Sequence, residues 1–375
     1  MAPDAPMIRV VHVLTRTNIG GPSVMLVDLL QGLDRQRFTQ SVIRGAPVAS
    51  EGDYLENRTV PADVITIQGL RRSLGVVGEV RSLFALVGHL RRLKPDIVHT
   101  HMAKAGVIGR IAAVLARVPV RVHTYHGHLL HGYFSPMVTR IFATAERCLR
   151  IVTTHALVVG AATRRDLLQA RIVREQQSST ILPAARALHR HEQRTARASL
   201  GLPADGVIVG FVGRLTGIKR PDRFLRLAAT VPQATFVVVG NGPLHDGVAR
   251  AATALPNVRL LDWHEDVALV LSAIDVLVLT SDNEGVPLSL IEAASVGVPV
   301  VSVDVGGVRE IVEDGVTGII VRDEAQLAEA VSQLVGDAAR RQTLGEQARS
   351  LITERCSLAK YLEAHAALYE RLVAR

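Results

Sequence analysis

The sequence predicts an α/β protein built from two Rossmann-like domains, each with a doubly wound parallel sheet. Three observations lead to this fold class. Short runs rich in Val and Ile alternate with longer amphipathic stretches, the pattern of repeated strand–helix units. That alternation stops at a polar stretch and then starts again. A length of 375 residues suits two domains of about 150 to 200 residues each.

The first domain is assigned to residues 1–185. Its predicted strands cover residues 8–14, 96–100, 120–124 and 156–159, with helices from about residue 22 and over 103–116. The apolar runs have the short length that is usual for strands. We expect these strands to lie in one parallel sheet with helices on its faces.

A polar, Arg- and His-rich stretch at residues 186–205 lacks strand character and is predicted to be a linker. Residues 206–355 form the second predicted domain. Its strands are expected at 207–213, 235–240, 258–263, 274–280 and 298–303, and a helical stretch at 324–349. Residues 356–375 are expected to form a final helix. Because open parallel sheets bind ligands at the carboxyl ends of their strands, functional motifs should lie just after the strands.

Composition and charge limit the classes of function. Cys148 and Cys356 are the only cysteines, so neither a disulfide scaffold nor a cysteine-rich zinc ribbon is expected. The sequence shows no secretory signal and no apolar run long enough for a membrane span, which predicts a cytoplasmic protein. The formal charge of +8 suits an anionic partner, but aromatic residues are only 3%, which argues against single-stranded nucleic acid. The charge then indicates either a solvated basic face or peripheral contact with anionic lipid at the inner membrane surface.

The loop after the strand at 207–213 carries two cations. It reads GRLTGIKRP, with Gly213 at the turn and Arg214 and Lys219 ahead of a helix. A planar guanidinium and a compact ammonium group suit the oxygens of a diphosphate. Taken alone, the loop is weak evidence, because Arg and Lys side chains in an exposed loop are usually solvated.

Two glycines follow the next strand, at Gly240 and Gly242 on either side of Asn241. Glycine allows a backbone to approach a ligand closely. The third glycine of the dinucleotide fingerprint is missing, because the sequence continues with Pro, Leu and His, so a nicotinamide site is not favoured. An ordinary strand-to-helix turn is the alternative.

The segment SDNEGVPLSLIEA places Glu284 in a loop and Glu292 inside the helix that follows. Pro287 suits the first turn of that helix. Backbone amides at a helix N-terminus favour a phosphate, and a carboxylate can accept two hydrogen bonds from a ribose diol. Two solvated glutamates are the alternative explanation.

Taken together, these motifs resemble the C-terminal domain of the retaining GT-B glycosyltransferases of family 4. The matching segments are GRL-xxx-K at 213–219, VVGNGP at 238–243, the pair Glu284 and Glu292, and GGVREIVEDGVTGIIV at 306–321. The resemblance extends over essentially the whole chain. It implies a GT-B fold, with two Rossmann-like domains facing across a cleft and a final helix that crosses back to the first domain.

The resemblance also implies roles for individual residues. Arg214 and Lys219 would neutralise the donor diphosphate, Glu292 would bind the ribose hydroxyls, and Glu284 would contact the transferred sugar. The other implied donor-binding positions are Gly20, Gly21, Gly213, Gly240, Asn241, Gly242, Gly285, Val286, Pro287 and Leu288.

This sequence departs from the family pattern at two turns. Arg220 stands where a glycine often follows the lysine of the phosphate-binding loop. Ala184 and Ala185 stand where relatives often have a Pro-Asn-Gly-type turn. The first departure bears on the backbone of the cationic loop, and the second on the turn between the domains.

The first domain resembles the family through TNIGGPSVMLVDLL at 17–30, where Gly20 and Gly21 match its glycine loop. The family's recurring histidine aligns with His126 and would lie close to the transferred sugar. The same region also holds His99, His101, His123, His128 and His131. Since residues i and i+2 share a strand face, the pairs His99 with His101 and His126 with His128 make zinc an alternative to core or loop histidines.

The predicted activity is transfer of a hexose or N-acetylhexosamine from a nucleotide diphosphate sugar to an acceptor hydroxyl, with retention of configuration. A UDP-sugar is favoured over a GDP-sugar, and the acceptor is expected to be a polyprenyl-linked glycan, a small metabolite or a natural product. No DxD motif is present, so neither a catalytic metal nor a cofactor is expected. A GT-B sugar-nucleotide epimerase or phosphorylase, and a non-catalytic membrane-surface binding protein, are the alternatives.

Overall fold

A computed structural model describes residues 7–18, 20–47, 52–56, 58–70, 75–127, 130, 132 and 135–374, except the side chain of residue 76. The chain divides into two compact units. Unit 1 comprises Met1–Pro183 together with Leu358–Arg375, and unit 2 comprises Ala184–Ser357.

Unit 1 contains a seven-stranded sheet in the order β3-β2-β1-β4-β5-β6-β7, in which all neighbouring strands are parallel. Its strands are β1 Ile8–Leu14, β2 Phe38–Gly45, β3 Asp63–Ile67, β4 Ile97–His101, β5 Val120–Tyr125, β6 His155–Val158 and β7 Ser178–Thr180. Its helices are α1 Gly21–Gly32, α2 Val76–Leu93, α3 Ala103–Leu115, α4 Pro136–Leu149, α5 Ala161–Gln169 and, from the end of the chain, α13 Leu358–Val373.

The first strand shows how the layers of unit 1 arise. Val11 and Val13 pack in one cluster with apolar residues of α2 and α3, whereas Leu14 packs with Leu26 and Leu30 of α1. Because successive side chains of a strand point to opposite faces, both faces of this strand are covered and it is apolar along most of its length. His12, which shares its face with Leu14, is the polar exception and is fully buried.

Three strands of unit 1 were not predicted from the sequence. Strand β2 includes Gln40 and Ser41, edge strand β3 is mostly exposed, and edge strand β7 is the three-residue segment Ser-Ser-Thr. Polar or partly exposed strands lack the continuous Val and Ile pattern on which the prediction relied.

Unit 2 contains a six-stranded sheet in the order β10-β9-β8-β11-β12-β13, again wholly parallel. Its strands are β8 Ile208–Val212, β9 Thr235–Val239, β10 Val258–Leu261, β11 Val276–Leu279, β12 Val300–Val303 and β13 Gly318–Val321. Its helices are α6 Gln193–Ser199, α7 Pro221–Thr230, α8 His245–Ala252, α9 Val267–Ala273, α10 Leu288–Ser295, α11 Glu324–Gly336 and α12 Ala338–Arg355.

The two sheets confirm the predicted fold class of two Rossmann-like parallel-sheet units. Helix α6 lies inside the stretch 186–205, and the helical stretch predicted from residue 324 is divided at Asp337, whose side chain accepts a hydrogen bond from the Arg340 amide and caps α12. In both sheets the strand order reverses direction once, between β1 and β4 in unit 1 and between β8 and β11 in unit 2. Open parallel sheets bind their ligands at the carboxyl ends of the two strands that flank such a reversal.

Candidate active site

The reversal point of unit 2 carries the cationic loop and Glu284. The loop 213–220 follows β8, and the loop 280–287 follows β11. The Asp282 amide donates to the Ile218 carbonyl at 2.8 Å, and the Thr280 hydroxyl lies 2.9 Å from the carbonyl oxygens of both Lys219 and Arg220. The two loops are therefore connected by a backbone hydrogen bond and by the Thr280 side chain.

Lys219 and Glu284 meet at this point. The Lys219 Nζ lies 2.5 Å from Glu284 Oε1, and the Ser281 hydroxyl donates to the same oxygen at 2.6 Å. The Glu284 side chain is only 9% exposed, while that of Lys219 is 26% exposed. The carboxylate is thus held in a nearly buried position, whereas the Lys219 side chain remains partly exposed.

Arg220 adopts a left-handed backbone conformation with φ of +52°. This is the region that glycine occupies readily, so the arginine keeps the backbone shape that a glycine would allow. Its guanidinium pairs with Asp222 at 2.8 Å and Asp282 at 3.3 Å. The hydrogen bond from Arg220 is the main reason that the pKa of Asp222 lies well below its usual range.

The glycine-containing turns after β8 and β9 pack backbone to backbone. The Gly213 amide donates to the Val239 carbonyl and the Leu215 amide to the Asn241 carbonyl, each at 3.0 Å. A Cβ atom added at Gly240, where φ is +144°, would lie 2.0 Å from the Gly213 carbonyl oxygen. The close approach that requires Gly240 is therefore to the neighbouring loop.

A second pair of glycines supports the loop of Glu284. The Gly307 amide donates to the Gly285 carbonyl at 2.7 Å, and a Cβ atom at Gly306 would lie 1.8 Å from the Glu284 carbonyl oxygen. These glycines, like Thr280 and Ser281, were not predicted from the sequence to belong to the site. The adjacent glycines within the segment 306–321 were the available signal.

Helix α10 begins directly after this loop. Pro287 is the N-cap residue with φ of −74° and ψ of 112°, and the helix starts at Leu288, so the prediction of Pro287 inside the first turn is wrong by one residue. Because Pro287 has no amide hydrogen, the first N–H groups available at this helix end belong to Leu288 and Ser289. Glu292, 9% exposed, lies one helical turn further along.

The structure thus places the predicted residues of unit 2 in three adjoining segments. Arg214 and Lys219 share the loop after β8, and Glu284 contacts Lys219 directly. Glu292 lies in α10, which the Glu284 loop enters. A Rossmann-type sheet with a cationic loop and a helix N-terminus at its reversal point is the arrangement of an α/β protein that binds a phosphate-containing ligand.

The corresponding loop of unit 1 carries Gly20 and Gly21. Gly20 precedes α1, and its carbonyl oxygen accepts from the amides of Ser23 and Val24. The Ser23 hydroxyl donates to the Asn18 carbonyl at 2.7 Å. These bonds fix the backbone at the start of α1, which is where the family resemblance predicts the glycine loop.

Four histidines lie on one face of the unit 1 sheet. His12, His99 and His101 are fully buried, and His126 follows β5 with its ring 3.1 Å from that of His101. Burial lowers the pKa of His12 and of His126 to about 4, and it holds the pKa values of His99 and His101 well below their usual range. At neutral pH these imidazoles are uncharged.

The zinc alternative can be compared with this geometry. One ring nitrogen from each of His12, His99 and His101 lies within 4.8 Å of the others, a spacing compatible with a metal ion. However, both nitrogens of His99 lie 2.6 Å from hydroxyl groups, those of Tyr369 and Thr124. Hydrogen bonding therefore accounts for the ring positions. The predicted partner His128, like His131, lies outside the described residues, and His123 bonds to Thr100.

Two family models match the chain. The model for glycosyl transferases group 1 matches residues 206–337, and that for the glycosyl transferase 4-like domain matches residues 20–185. An Escherichia coli relative, UDP-Gal:alpha-D-GlcNAc-diphosphoundecaprenol alpha-1,3-galactosyltransferase, is 28% identical over 331 residues, or 84% of both chains. The D-inositol 3-phosphate glycosyltransferase of Mycobacterium leprae is 34% identical over 280 residues, which are 68% of this chain and 63% of that protein.

Solved structures resemble the whole chain. HepE from Anabaena, in complex with UDP and glucose, has a TM-score of 0.83 at 22% identity and covers 97% of this chain and 100% of its own. Sucrose-phosphate synthase from Thermosynechococcus elongatus has a TM-score of 0.82 at 21% identity, with 98% and 99% covered. At these identities the likeness concerns the fold.

The chain belongs to the GT-B glycosyltransferases of group 1. It is a transferase that uses a nucleotide sugar.

Proposed function

We propose that the protein transfers a hexose or N-acetylhexosamine from a UDP-sugar to an acceptor hydroxyl with retention of configuration. The observation that carries this proposal is the contact of Lys219 with Glu284 at the reversal point of unit 2. It puts a cation for the diphosphate beside a carboxylate for sugar hydroxyls. The name of the Escherichia coli relative, which specifies UDP-galactose, supports the choice of UDP.

Each predicted residue of unit 2 receives a role in donor binding. Arg214 and Lys219 hold the diphosphate, Glu292 accepts hydrogen bonds from the ribose, and Glu284 from the transferred sugar. The backbones of Gly213, Gly240, Asn241, Gly242, Gly285, Val286, Pro287 and Leu288 line the donor. In unit 1, Gly20 and Gly21 shape a loop for the substrates, and His126 bonds a sugar hydroxyl.

The reaction breaks the bond between the sugar C1 and the diphosphate oxygen and forms a bond from C1 to the acceptor oxygen on the same face. The acceptor proton passes to an oxygen of the leaving diphosphate, so no side chain is needed as a base. Preorganised cations that stabilise the departing charge lower the barrier. Because Arg214, Lys219 and the α10 N-terminus supply this stabilisation, the proposal includes neither a catalytic metal nor a cofactor.

The donor is tested first. UDP-glucose, UDP-galactose, UDP-N-acetylglucosamine and a GDP-sugar are screened by thermal shift, where a ligand at about 100 times its Kd stabilises by about 2.7 kcal/mol. We expect a UDP-sugar to raise Tm and a GDP-sugar to have little effect. The anomer of the product is then read by NMR. A product of inverted configuration would contradict retention.

Rival activities separate in the same assay. A UDP-sugar incubated without acceptor distinguishes an epimerase, and one incubated with inorganic phosphate distinguishes a phosphorylase. We expect neither reaction to match the rate seen with a polyprenyl-linked glycan. Donor binding without turnover on any acceptor would favour the non-catalytic alternative.

A surface of unit 1 favours a lipid-linked acceptor over a small molecule. Helix α2 packs on α3 and α3 on α4. Together with the turns that follow them, residues 76–94, 103–117 and 136–151, they form what we call the α2–α4 surface. Its exposed large apolar side chains are Val77, Val80, Phe84, Ile111, Val114, Leu115, Met137, Ile141, Phe142 and Ile151.

The charge of the α2–α4 surface is strongly positive. Its three ranges contain ten Lys or Arg residues but only two acidic ones, Glu79 and Glu146. Both carboxylates are paired, with Lys104 at 2.5 Å and with Arg110 at 2.8 Å. Exposed apolar side chains among arginines match an anionic bilayer, which attracts basic groups and accepts apolar ones. We therefore assign peripheral contact with anionic lipid, at the cytoplasmic face of the membrane, to this surface.

None of the helices described by the structure is both long and apolar enough to cross a membrane. Peripheral contact is tested by sedimentation with phosphatidylglycerol and with phosphatidylcholine vesicles. We expect binding to the anionic vesicles that weakens with salt, and loss of that binding in Arg140→Glu/Arg147→Glu. Leu244→Ser, an exposed apolar change in unit 2, serves as the control. Equal binding of the double variant would remove the assignment.

A further inference from the structure

A chain of hydrogen bonds in unit 1 connects the backbone of α1 with His126. Gln40 Nε2 lies 3.2 Å from the Leu29 carbonyl oxygen and 3.4 Å from that of Leu30. Gln40 Oε1 lies 3.2 Å from His12 Nε2. From there the chain continues through His101 to His126, all of it inside one unit.

The carbonyl groups of α1 set the direction of this chain. A carbonyl oxygen only accepts, so the group that faces Leu29 and Leu30 must be the NH2 of Gln40. Its Oε1 then faces His12 and accepts a hydrogen bond. The proton of His12 must therefore sit on Nε2.

The donor and acceptor roles continue in the same order along the histidines, because each neutral imidazole carries one proton. With Nε2 of His12 protonated, its Nδ1 is an acceptor, and it lies 3.3 Å from His101 Nε2. His101 must donate from Nε2, which leaves its Nδ1 as an acceptor at 3.1 Å from His126 Nε2. Burial lowers the pKa values of all three rings, so neutral rings are the relevant species at pH 7.

We propose that Gln40, His12 and His101 are positioning residues that hold His126 in the tautomer with its proton on Nε2. His126 Nδ1 is then a lone-pair acceptor, and it is buried without a hydrogen-bond partner among the described residues. His126 also lines a cavity of about 10 Å³ together with His101, Thr124, Tyr361 and His365. A cavity of this size holds about one water molecule. The ligand of His126 Nδ1 must thus be a hydrogen-bond donor, such as a water molecule or a hydroxyl group.

The part of the inference that names a sugar hydroxyl rests on the proposed function, but the tautomer does not. It can be measured in the intact protein without substrate. Long-range ¹H–¹⁵N correlation NMR with ¹⁵N-labelled histidine at pH 7.5 distinguishes protonated from unprotonated ring nitrogens. We expect His12, His101 and His126 each to carry the proton on Nε2. A proton on Nδ1 of His126 would overturn the proposal even if the protein transfers sugar.

Adding Zn²⁺ to the same sample tests the competing use of these rings. A metal bound at His12, His99 and His101 would take the ring lone pairs of His12 and His101 that the chain employs. We expect no change in the histidine resonances with one equivalent of Zn²⁺. Binding that shifts these resonances would assign the three histidines to a metal. It would overturn the proposal that the hydrogen-bond chain from Gln40 to His126, here called the relay, sets the tautomer of His126.

Variants test whether the relay matters for turnover. His101→Phe removes the acceptor for His126 Nε2, so we expect a mixture of His126 tautomers and about a tenfold lower kcat with little change in KM, the size expected for one lost hydrogen bond. Gln40 lies two hydrogen bonds further from His126 than His101 does. Gln40→Met should therefore give a mixture of His12 tautomers. The matched control is His123→Phe, since His123 is equally buried but bonds to Thr100.

The outcomes are distinct. An unchanged His126 tautomer in folded His101→Phe would overturn the relay, and so would an equal loss of kcat in His123→Phe. If His101→Phe does not fold, the spectra of the unmodified protein and of Gln40→Met decide. A confirmed tautomer in a protein that transfers no sugar would leave the relay intact and remove the proposed function.

Discussion

Units 1 and 2 share one strand order around their reversal points but place their polar groups differently. Unit 2 has charged groups there, with Lys219 beside Glu284. Unit 1 instead has imidazoles that burial keeps neutral, such as His12 and His101. Within the described ranges, every fully buried histidine belongs to unit 1. The same backbone topology therefore carries a charged pair at the reversal point of one unit and a neutral hydrogen-bonded network at that of the other.

The surfaces differ as well. The α2–α4 surface of unit 1 has ten exposed large apolar side chains, whereas the described residues of unit 2 expose only Leu244, Trp263 and Val316. Unit 2 compensates its exposed arginines with carboxylates, as in the pairs of Arg226 with Asp222 and Glu324. The basic composition of the chain did not by itself show how its charges are distributed between the two units. The comparison teaches that the excess positive charge of this chain is concentrated where few carboxylates accompany the arginines.

The sharpest test of the comparison removes a cation from unit 2. Lys219→Met should lower kcat by roughly ten- to a hundredfold, because a hydrogen bond to a charged group contributes about 1.5 to 3 kcal/mol. Arg226→Met, which removes an exposed arginine of α7, is the control and should leave kcat unchanged. Steady-state kinetics with intact far-UV circular dichroism provide the measurement. Full activity in Lys219→Met would show that the phosphate is held elsewhere.

A backbone change in unit 2 should have the next largest effect. Gly306→Ala places a Cβ atom 1.8 Å from the Glu284 carbonyl oxygen at a φ of +50°. We expect a loss of about 1 to 3 kcal/mol in unfolding free energy, together with reduced turnover, since the loop of Glu284 must shift. Gly247→Ala in α8 is the matched control, because a Cβ atom there meets no neighbour within 4 Å. It should keep or raise Tm, and equal losses in both variants would contradict the packing argument.

A fall in pH should lower the stability of unit 1 before that of unit 2. A buried histidine whose pKa is lowered in the folded state takes up its proton more readily when unfolded. The stability that it supports is complete above about pH 6.5 and declines as the pH falls towards the folded pKa, about 4 for His12. Each such group contributes up to about 1.4 kcal/mol per pH unit within this window.

The single tryptophan, Trp263, allows the units to be observed separately, because it lies in unit 2. Thermal unfolding is followed at pH 7.5 and 5.0 by its fluorescence and by circular dichroism. We expect the dichroism transition to begin at lower temperature at pH 5.0 and the fluorescence transition to move less. A larger shift in fluorescence would place the acid-sensitive groups in unit 2.

Much of the fold was predictable because its central strands are buried on both faces. Strands β1, β8 and β11 are nearly continuous apolar runs, so their pattern is visible without partners. Strands β2 and β7 were missed because polar residues in them gain their partners only from the folded chain. Gln40 is an example, since its buried amide group bonds the backbone of α1 and the His12 ring.

The candidate site, like the fold, was predictable from the sequence only in part. Sequence motifs predicted Arg214, Lys219, Glu284 and Glu292 as site residues, and the structure places Lys219 in contact with Glu284. The sequence by itself also determined two parallel-sheet units and a basic chain. The tertiary structure decided what Gly240 and Gly306 pack against, which helices bring the basic residues of unit 1 together, and which nitrogen of His126 bears the proton. These properties depend on residues far apart in sequence, and only folding brings their atoms within hydrogen-bonding distance.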